Sequence, residues 1–270
     1  MKTFLLIPII TISSLHYAQD AKIADECFKK ADYKCAEEQY SKLANQEKIQ
    51  KFQSEYYNNL GTSQRRLGKT SLAFKSYESA LKSNPLSAPV YANLASLHSQ
   101  RGSKEKALDY INKGLQIDAE NADMYLTRSR IYDDMGKKDL AAQDLNHILS
   151  FDPENLYART GLANLKKNNG DLEGALKDYN QLLSEKPESL LYTGRADVYL
   201  KMKKSKEALA DVNKAISIDP KFAQSYVTKS LILFDAAKDK EACSNLDKAV
   251  GLGYEKALLA KYYSRCSKDK

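Results

Sequence analysis

Tryptophan is absent from the 270 residues, and only three histidines and four cysteines are present. Neither His98 nor His147 has a second ligand three or four residues away, the spacing that would set two zinc ligands on one helix face. No Ser, His and Asp set stands out either, so the sequence offers no catalytic residues, no metal ligands and no cofactor site, and it reads as a non-enzyme. Long apolar runs are equally scarce. A membrane helix needs about 20 consecutive apolar residues, and the one concentrated stretch, residues 4–12, is too short. A net charge of +7 is spread along the chain without the polybasic block that would neutralise many phosphates, which argues against nucleic acid or a membrane surface as the partner. A hydrophobic content of 43% is enough to fold, and 29% charged residues suits a water-exposed chain.

The N-terminus follows the layout of a secretory signal: Lys2, then Phe4, Leu5, Leu6, Ile7, Pro8, Ile9 and Ile10, then small and polar residues up to Ala18. Cleavage is expected after Ala18, although His16 is bulky for the minus-three position. No cysteine follows to be lipidated. This makes residues 1–18 a signal peptide and the mature protein periplasmic or secreted, with no integral membrane span after cleavage.

Beyond it, the chain repeats itself. Ala73, Ala107, Ala141, Ala175, Ala208 and Ala242 are spaced by 34, 34, 34, 33 and 34 residues. Gly68, Gly102, Gly136 and Gly170 keep the same phase, as do Pro85, Pro153, Pro187 and Pro220 with Ala119 in the vacant place, and Tyr57, Tyr91, Tyr125, Tyr192 and Tyr226. A period in this range signals a solenoid of small supersecondary units.

These columns resemble the tetratricopeptide repeat, a helix hairpin of 34 residues with an aromatic at the fourth position, a small residue at the eighth, Gly near the fifteenth, Ala at the twentieth, an aromatic at the twenty-fourth and Pro at the thirty-second. Residues 54–87 match best, through Tyr57, Leu60, Gly61, Gly68, Ala73, Tyr77, Ala80 and Pro85. Further copies are expected at 88–121, 122–155, 156–188, 189–222 and 223–253, with a degenerate first copy at 19–53 carrying Ala24, Ala36 and Tyr40, and a C-terminal capping helix and tail at 254–270. The resemblance implies an all-α right-handed superhelical solenoid of about seven hairpins.

Each column has its own physical reason. Gly61, Ala95, Ser129, Ala163, Ala196 and Ser230 are small where the alanine column of the second helix must approach. The glycines provide the positive φ that ends a first helix, and the prolines stop the second by lacking an N–H. Three departures stand out. Arg159 replaces the repeat tyrosine, and Lys203 and Ala237 replace the turn glycine. One residue is missing between Pro187 and Tyr192, which marks a junction between two halves of the array. Gly68-Lys69-Thr70 looks like the end of a phosphate loop, but Ser63 stands where its first glycine belongs, so the hairpin turn explains it.

In such a solenoid Cys27 and Cys35 flank the first turn, near Ala31, and Cys243 and Cys266 lie on the last repeat helix and the terminal helix. A disulfide needs Cα atoms within about 7 Å. Pairings between the two ends would have to cross the whole array, leaving Cys27 with Cys35 and Cys243 with Cys266, in an oxidising compartment.

The resemblance also implies function: tetratricopeptide arrays bind a protein or extended peptide along the groove lined by their first helices. The carboxylate clamp of some relatives does not fit, because its places hold Asn58, Thr62, Asn93, Asp123 and Thr127. Nor does the asparagine ladder of sugar-transferring relatives, broken at Thr127, Gly161 and Gly194. The expected partner-binding residues are Asn58, Arg65, Asn93, Arg130, Asn164, Lys167, Leu200, Val227, Leu231 and Phe234. The last three recur at i, i+4 and i+7 and make one apolar stripe, read either as an anchor pocket or as the seat of the terminal cap. An alternative role is an assembly factor for an envelope enzyme or secretion complex, with contacts at the ends of the array.

Overall fold

The computed structural model describes residues 12–266. Of the expected signal segment, residues 1–11 lie outside the described residues, and residues 12–18 form the start of the first helix. Among the described residues the chain is all-α and divides into two compact units, one ending at Gly136 and one beginning at Lys137.

The first unit contains α1 (Ile12–Lys29), α2 (Tyr33–Gln46), α3 (Gln50–Arg66), α4 (Thr70–Ser83), α5 (Ala88–Gln100), α6 (Lys104–Ile117) and α7 (Ala122–Asp134). The second contains α8 (Lys138–Phe151), α9 (Leu156–Asn168), α10 (Leu172–Glu185), α11 (Ser189–Lys201), α12 (Ser205–Ile218), α13 (Ala223–Asp235), α14 (Asp239–Gly251) and, after a 3-10 turn at Lys256–Leu259, α15 (Ala260–Cys266). Within each unit every helix packs on the next in sequence, and first helices also meet the first helices of the following hairpin: α3 with α5, α5 with α7, α9 with α11, and α11 with α13. That is the layering of a solenoid.

Hairpin closure follows from volume. Ala73, Ala107, Ala141, Ala175, Ala208 and Ala242 are fully buried. Opposite Ala73, Ala107, Ala175, Ala208 and Ala242 the first helices of the same hairpins offer Gly61, Ala95, Ala163, Ala196 and Ser230, all buried as well. The room so created is filled by the large side chain one turn further along each second helix: Tyr40, Tyr77, Ile111, Leu145, Tyr179, Val212 and Leu246, none more than 2% exposed. The fit is close. A Cβ on Gly61 would stand 2.7 Å from Tyr77 Cε1, and one on Gly161 would stand 2.8 Å from Leu145 Cδ2, too near for either to fit without displacing the neighbour. The tyrosines of the fourth-position column are only half-buried, with hydroxyls at the surface: Tyr57 donates to Asn45 Oδ1 at 3.2 Å and Tyr226 to the Pro220 carbonyl at 3.1 Å.

The turns share one backbone solution. Gly68, Gly102, Gly136 and Gly170 have φ of 75°, 75°, 73° and 86°. Ala31, Lys203 and Ala237 take the same left-handed conformation, at 60°, 60° and 56°, without being glycine. At Ala31, Gly68, Gly102, Gly170, Lys203 and Ala237 the N–H of the next residue reaches the carbonyl five back, as in Lys69 to Gln64 at 2.8 Å, Lys204 to Tyr199 at 2.9 Å and Lys238 to Leu233 at 2.9 Å. This bond satisfies a carbonyl that the helix end leaves open. The second helices stop where Asn84, Asp152, Lys186 and Asp219 turn extended ahead of proline, and Asp118 does so ahead of Ala119 with φ −131° and ψ 89°.

Two expectations need correction. The boundary between compact units falls at the turn after Gly136, not at the shortened loop near Pro187. The missing residue there is absorbed by a tight turn, Glu188 N–H to Lys186 O at 2.9 Å, and α10 packs directly on α11. The C-terminal segment is not one helix from 254 either: after the expected turn, where Gly253 has φ 93°, the chain runs through the 3-10 turn and becomes α-helical only in the short α15.

A non-glycine residue held at positive φ carries a steric cost of about 1 kcal/mol or more. Ala237→Gly removes it at an exposed turn, so urea denaturation is expected to show a gain of about 0.5–1 kcal/mol net of the entropy glycine adds to the unfolded chain. A loss of stability would contradict the strain.

Candidate protein-interaction surface

In the first unit the first-helix residues are linked across hairpins. Asn93 donates to Asn58 Oδ1 at 2.8 Å, and the Arg65 guanidinium donates to Ser96 Oγ at 3.0 Å, joining α3 to α5. Thr62 and the Tyr77 hydroxyl stand 3.1 Å apart within the α3–α4 hairpin. Three of the expected binding residues, Asn58, Arg65 and Asn93, are therefore brought together on one half-exposed polar face, while Arg130 is exposed on α7.

The second unit carries the rest. Asn164 accepts a hydrogen bond from the Tyr179 hydroxyl at 3.0 Å, and Lys167 Nζ lies 3.8 Å from Asp197. Asp197 was not anticipated from the sequence. It occupies the ninth place of its repeat, where Asn164 and Leu231 stand in the neighbouring copies; its side chain is half-buried, and nothing in the local pattern marks it as such. Burial pushes its carboxyl above the usual carboxylate range, outweighing the pull of Lys167, Thr228 and Lys201. The Tyr179 hydroxyl is pushed up as well, by burial first and then by Asp197.

Further along this face the apolar stripe divides. Phe234 is 5% exposed and Val227 4%; both belong to the cluster that α13, α14 and the terminal segment form, and α15 lies on Phe234. The Tyr262 ring stacks on Phe234 at 6.2 Å, and the Arg265 guanidinium sits 4.4 Å above the same ring while donating to the Phe234 carbonyl at 3.2 Å and to Asp239. Tyr263 donates to Asp247 at 2.9 Å, and its hydroxyl is pushed up to about 12 by burial and by that carboxylate. Cys243 and Cys266, disulfide-bonded with Cα atoms 5.7 Å apart, tie α15 to α14. Cys27 and Cys35 tie α1 to α2 at the same Cα separation.

Leu200 and Leu231 remain half-exposed. With Phe234 and Tyr262 they line a crevice of about 470 Å³ whose rim carries Lys201, Lys203 and Arg265 against Asp235. Tyr262 and Arg265 are parts of this site that sequence reasoning missed, since they come from the terminal segment and reach it only through tertiary packing. The arrangement suits recognition: an apolar floor, a cationic rim, and polar first-helix residues leading away from it. None of the helices among the described residues is long and apolar enough to cross a membrane.

Models described as tetratricopeptide repeat match residues 58–122, 122–155 and 190–222. The crystal structure of a tetratricopeptide repeat protein from Parabacteroides merdae is 30% identical over 92% of this chain and 98% of its own, with a TM-score of 0.75. The chain belongs to the tetratricopeptide repeat family. Two further structures share the tetratricopeptide fold at lower identity. Pseudomonas aeruginosa pilF is 18% identical over 83% of this chain and 100% of its own, with a TM-score of 0.54. PilW, described as a type IV pilus biogenesis factor, is 17% identical over 77% and 93%, with a TM-score of 0.55. No curated protein matches this chain. Tetratricopeptide repeats are protein-interaction scaffolds and generally non-catalytic, so the role of this chain is protein–protein interaction.

The sign of the Asp197 effect is fixed by its environment. A carboxyl whose folded-state pKa is raised costs stability when ionised, and the cost is relieved as pH falls through the raised value toward the unfolded value of about 3.9. Relative to Asp197→Asn, the wild-type chain is expected to gain stability as the pH of urea melts is lowered from 7 through this window. A relative loss would contradict the burial of the charged form.

Proposed function

We propose that this tetratricopeptide protein is a non-catalytic scaffold outside the cytoplasm that seats an extended peptide or partner segment along its first helices, with the anchor side chain in the crevice at Leu200 and Leu231. The observation that carries this reading is the combination of an apolar floor with a rim of Lys201, Lys203 and Arg265. Apolar anchors supply most of the energy in such sites, and rim charges select and orient. The preferred segment therefore carries a bulky aliphatic or aromatic residue next to acidic ones. Asn164 and Lys167 of the same unit supply hydrogen bonds to its backbone, and Asn58, Arg65, Asn93 and Arg130 offer a polar partner-binding face of their own on the first unit. Phe234 and Val227 act as the support beneath the crevice, and α15 as its wall.

The extracytoplasmic setting is supported by the signal-like N-terminus and by the two cysteine pairs, which persist in oxidising compartments. The mature chain then starts at or near Gln19, with repeats at 19–53, 54–87, 88–121, 122–155, 156–188, 189–222 and 223–253 ahead of the cap at 254–270. The crevice depends on α15, so the Cys243–Cys266 link belongs to the binding apparatus as much as to stability.

Panning a random peptide display library on residues 19–270 tests the proposal. Enriched sequences are expected to pair an apolar anchor with acidic neighbours, and Leu231→Lys should weaken the best synthetic peptide at least tenfold, about 1.4 kcal/mol, with the helical CD spectrum retained. Reduction of the disulfides should weaken it too. Peptides whose affinity is untouched by Leu231→Lys would overturn the assignment of the crevice.

A further inference from the structure

A second crevice lies in the second unit, between α8 and α10 with α9 as its floor, and it is separate from the surface proposed above. Its volume is about 500 Å³, and Ala142, Arg159, Leu162, Lys166, Asp178 and Leu182 line it. The repeat register shows what this place holds elsewhere. Two periods earlier the residues equivalent to Ala142, Arg159, Lys166 and Asp178 are Phe74, Tyr91, His98 and Tyr110. They form a continuous ring cluster: Phe74 edge-on to His98 at 4.9 Å, His98 stacked on Tyr110 at 5.2 Å, Tyr91 tilted against Tyr110 at 6.2 Å, with the Arg101 guanidinium 5.4 Å over Phe74. One period later Leu176, Tyr192, Tyr199 and Asp211 occupy the four places. There Arg195 sits 5.6 and 5.8 Å over the two tyrosine rings while bonded to Asp211 at 2.7 and 2.8 Å.

Between α8 and α10 none of the first three places carries an aromatic or bulky apolar side chain: Ala142, Arg159 and Lys166 stand there, with the two cationic heads drawn to Glu185 and Asp178. The backbone plan is kept and the side-chain filling is not, which leaves a crevice of about 500 Å³ at the place where the neighbouring copies put rings of their own. Its electrostatics match too. Lys166 Nζ lies 2.6 Å from Asp178 and the Arg159 guanidinium 2.6 Å from Glu185, so both cations are held at the edge of an apolar floor made by Leu162, Leu165 and Leu182. A guanidinium beside an aromatic slot is how the neighbouring crevices hold their own rings, and a cation favours the electron-rich face of an aromatic.

We infer that the crevice between α8 and α10 is a docking pocket for an aromatic side chain, tyrosine or phenylalanine, presented by a partner polypeptide, with Arg159 and Lys166 against the ring face. The incoming ring takes the place that Phe74 and Tyr110, or Tyr192 and Tyr199, fill from within the chain. It displaces water from a mixed polar and apolar cavity and needs no rearrangement of the helices.

The test is an amide NMR titration of the ¹⁵N-labelled whole chain with N-acetyl-L-tyrosinamide, with N-acetyl-L-leucinamide and free tyrosine as comparisons. Saturable shifts confined to α8, α9 and α10 are expected, with leucinamide at least fivefold weaker and free tyrosine no tighter than the blocked amide. Ala142→Phe installs the residue of the equivalent place, Phe74, and should abolish the shifts while leaving the CD spectrum unchanged and the melting temperature undiminished. Arg159→Tyr is a second plug that restores the repeat tyrosine and should act alike, keeping the test intact if the first variant folds poorly. Equal binding of leucinamide, shifts centred on other helices, or shifts that survive the folded plugged variants would overturn the pocket. Tighter binding of free tyrosine would overturn the polypeptide source.

Discussion

Interdigitation of a small residue on one helix with a large one on its partner is the constraint on which the rest of this structure depends. Helices approach to the short end of their packing range only when one side offers glycine, alanine or serine at the crossing. Here the first helices do so, and the second helices answer with a buried alanine and, one turn on, a large side chain such as Tyr77 or Tyr179. The hairpin angle, the left-handed turn and the stacking of first helices all follow from that closeness. Gly161 and Gly194, which interrupt the polar pattern along the first helices, are explained in the same way: each makes room for the large side chain of the preceding hairpin, Leu145 and Tyr179.

The sequence made the hairpins legible because period and chemistry agree at four columns. It was also right to treat Ala31 as the first turn although no glycine marks it. The conformation at Ala31, Lys203 and Ala237 survives the loss of glycine because the bond to the carbonyl five residues back and the packing of both helices impose it. The partner-binding surface was less legible. Spacing singled out Val227, Leu231 and Phe234 as one stripe, but whether a stripe is open depends on what lies over it, and α15 is a seven-residue helix with no repeat partner to announce its seat. It covers Phe234 and leaves Leu231 at the edge of a crevice. Asp197 escaped notice for a related reason: burial of a polar position is set by neighbouring hairpins rather than by its own helix. Arg159 stood out as a departure, but its meaning emerged only when Ala142 and Lys166 were placed beside it in space.

The ends of the chain carry what the middle does not need. An inner hairpin is buttressed on both sides, whereas a terminal one has a neighbour on one side only and frays first. The Cys27–Cys35 bond sits in the first hairpin and the Cys243–Cys266 bond in the last, where covalent ties contribute most. At the C-terminal end the same tie holds Tyr262 and Arg265 against Phe234, so a stabilising device also shapes the crevice proposed as the anchor site.

The central claim is tested most directly by a double-mutant cycle on Gly61 and Tyr77. Alone, Gly61→Ala forces a methyl group into the tyrosine ring and is expected to cost about 1–3 kcal/mol in urea denaturation, despite the roughly 1 kcal/mol that alanine gains over glycine inside a helix. In a Tyr77→Leu background the clash is gone, and the same substitution should become neutral or stabilising, a coupling of about 2 kcal/mol or more. An identical effect of Gly61→Ala in both backgrounds would show that the hairpin does not rest on this pair of volumes.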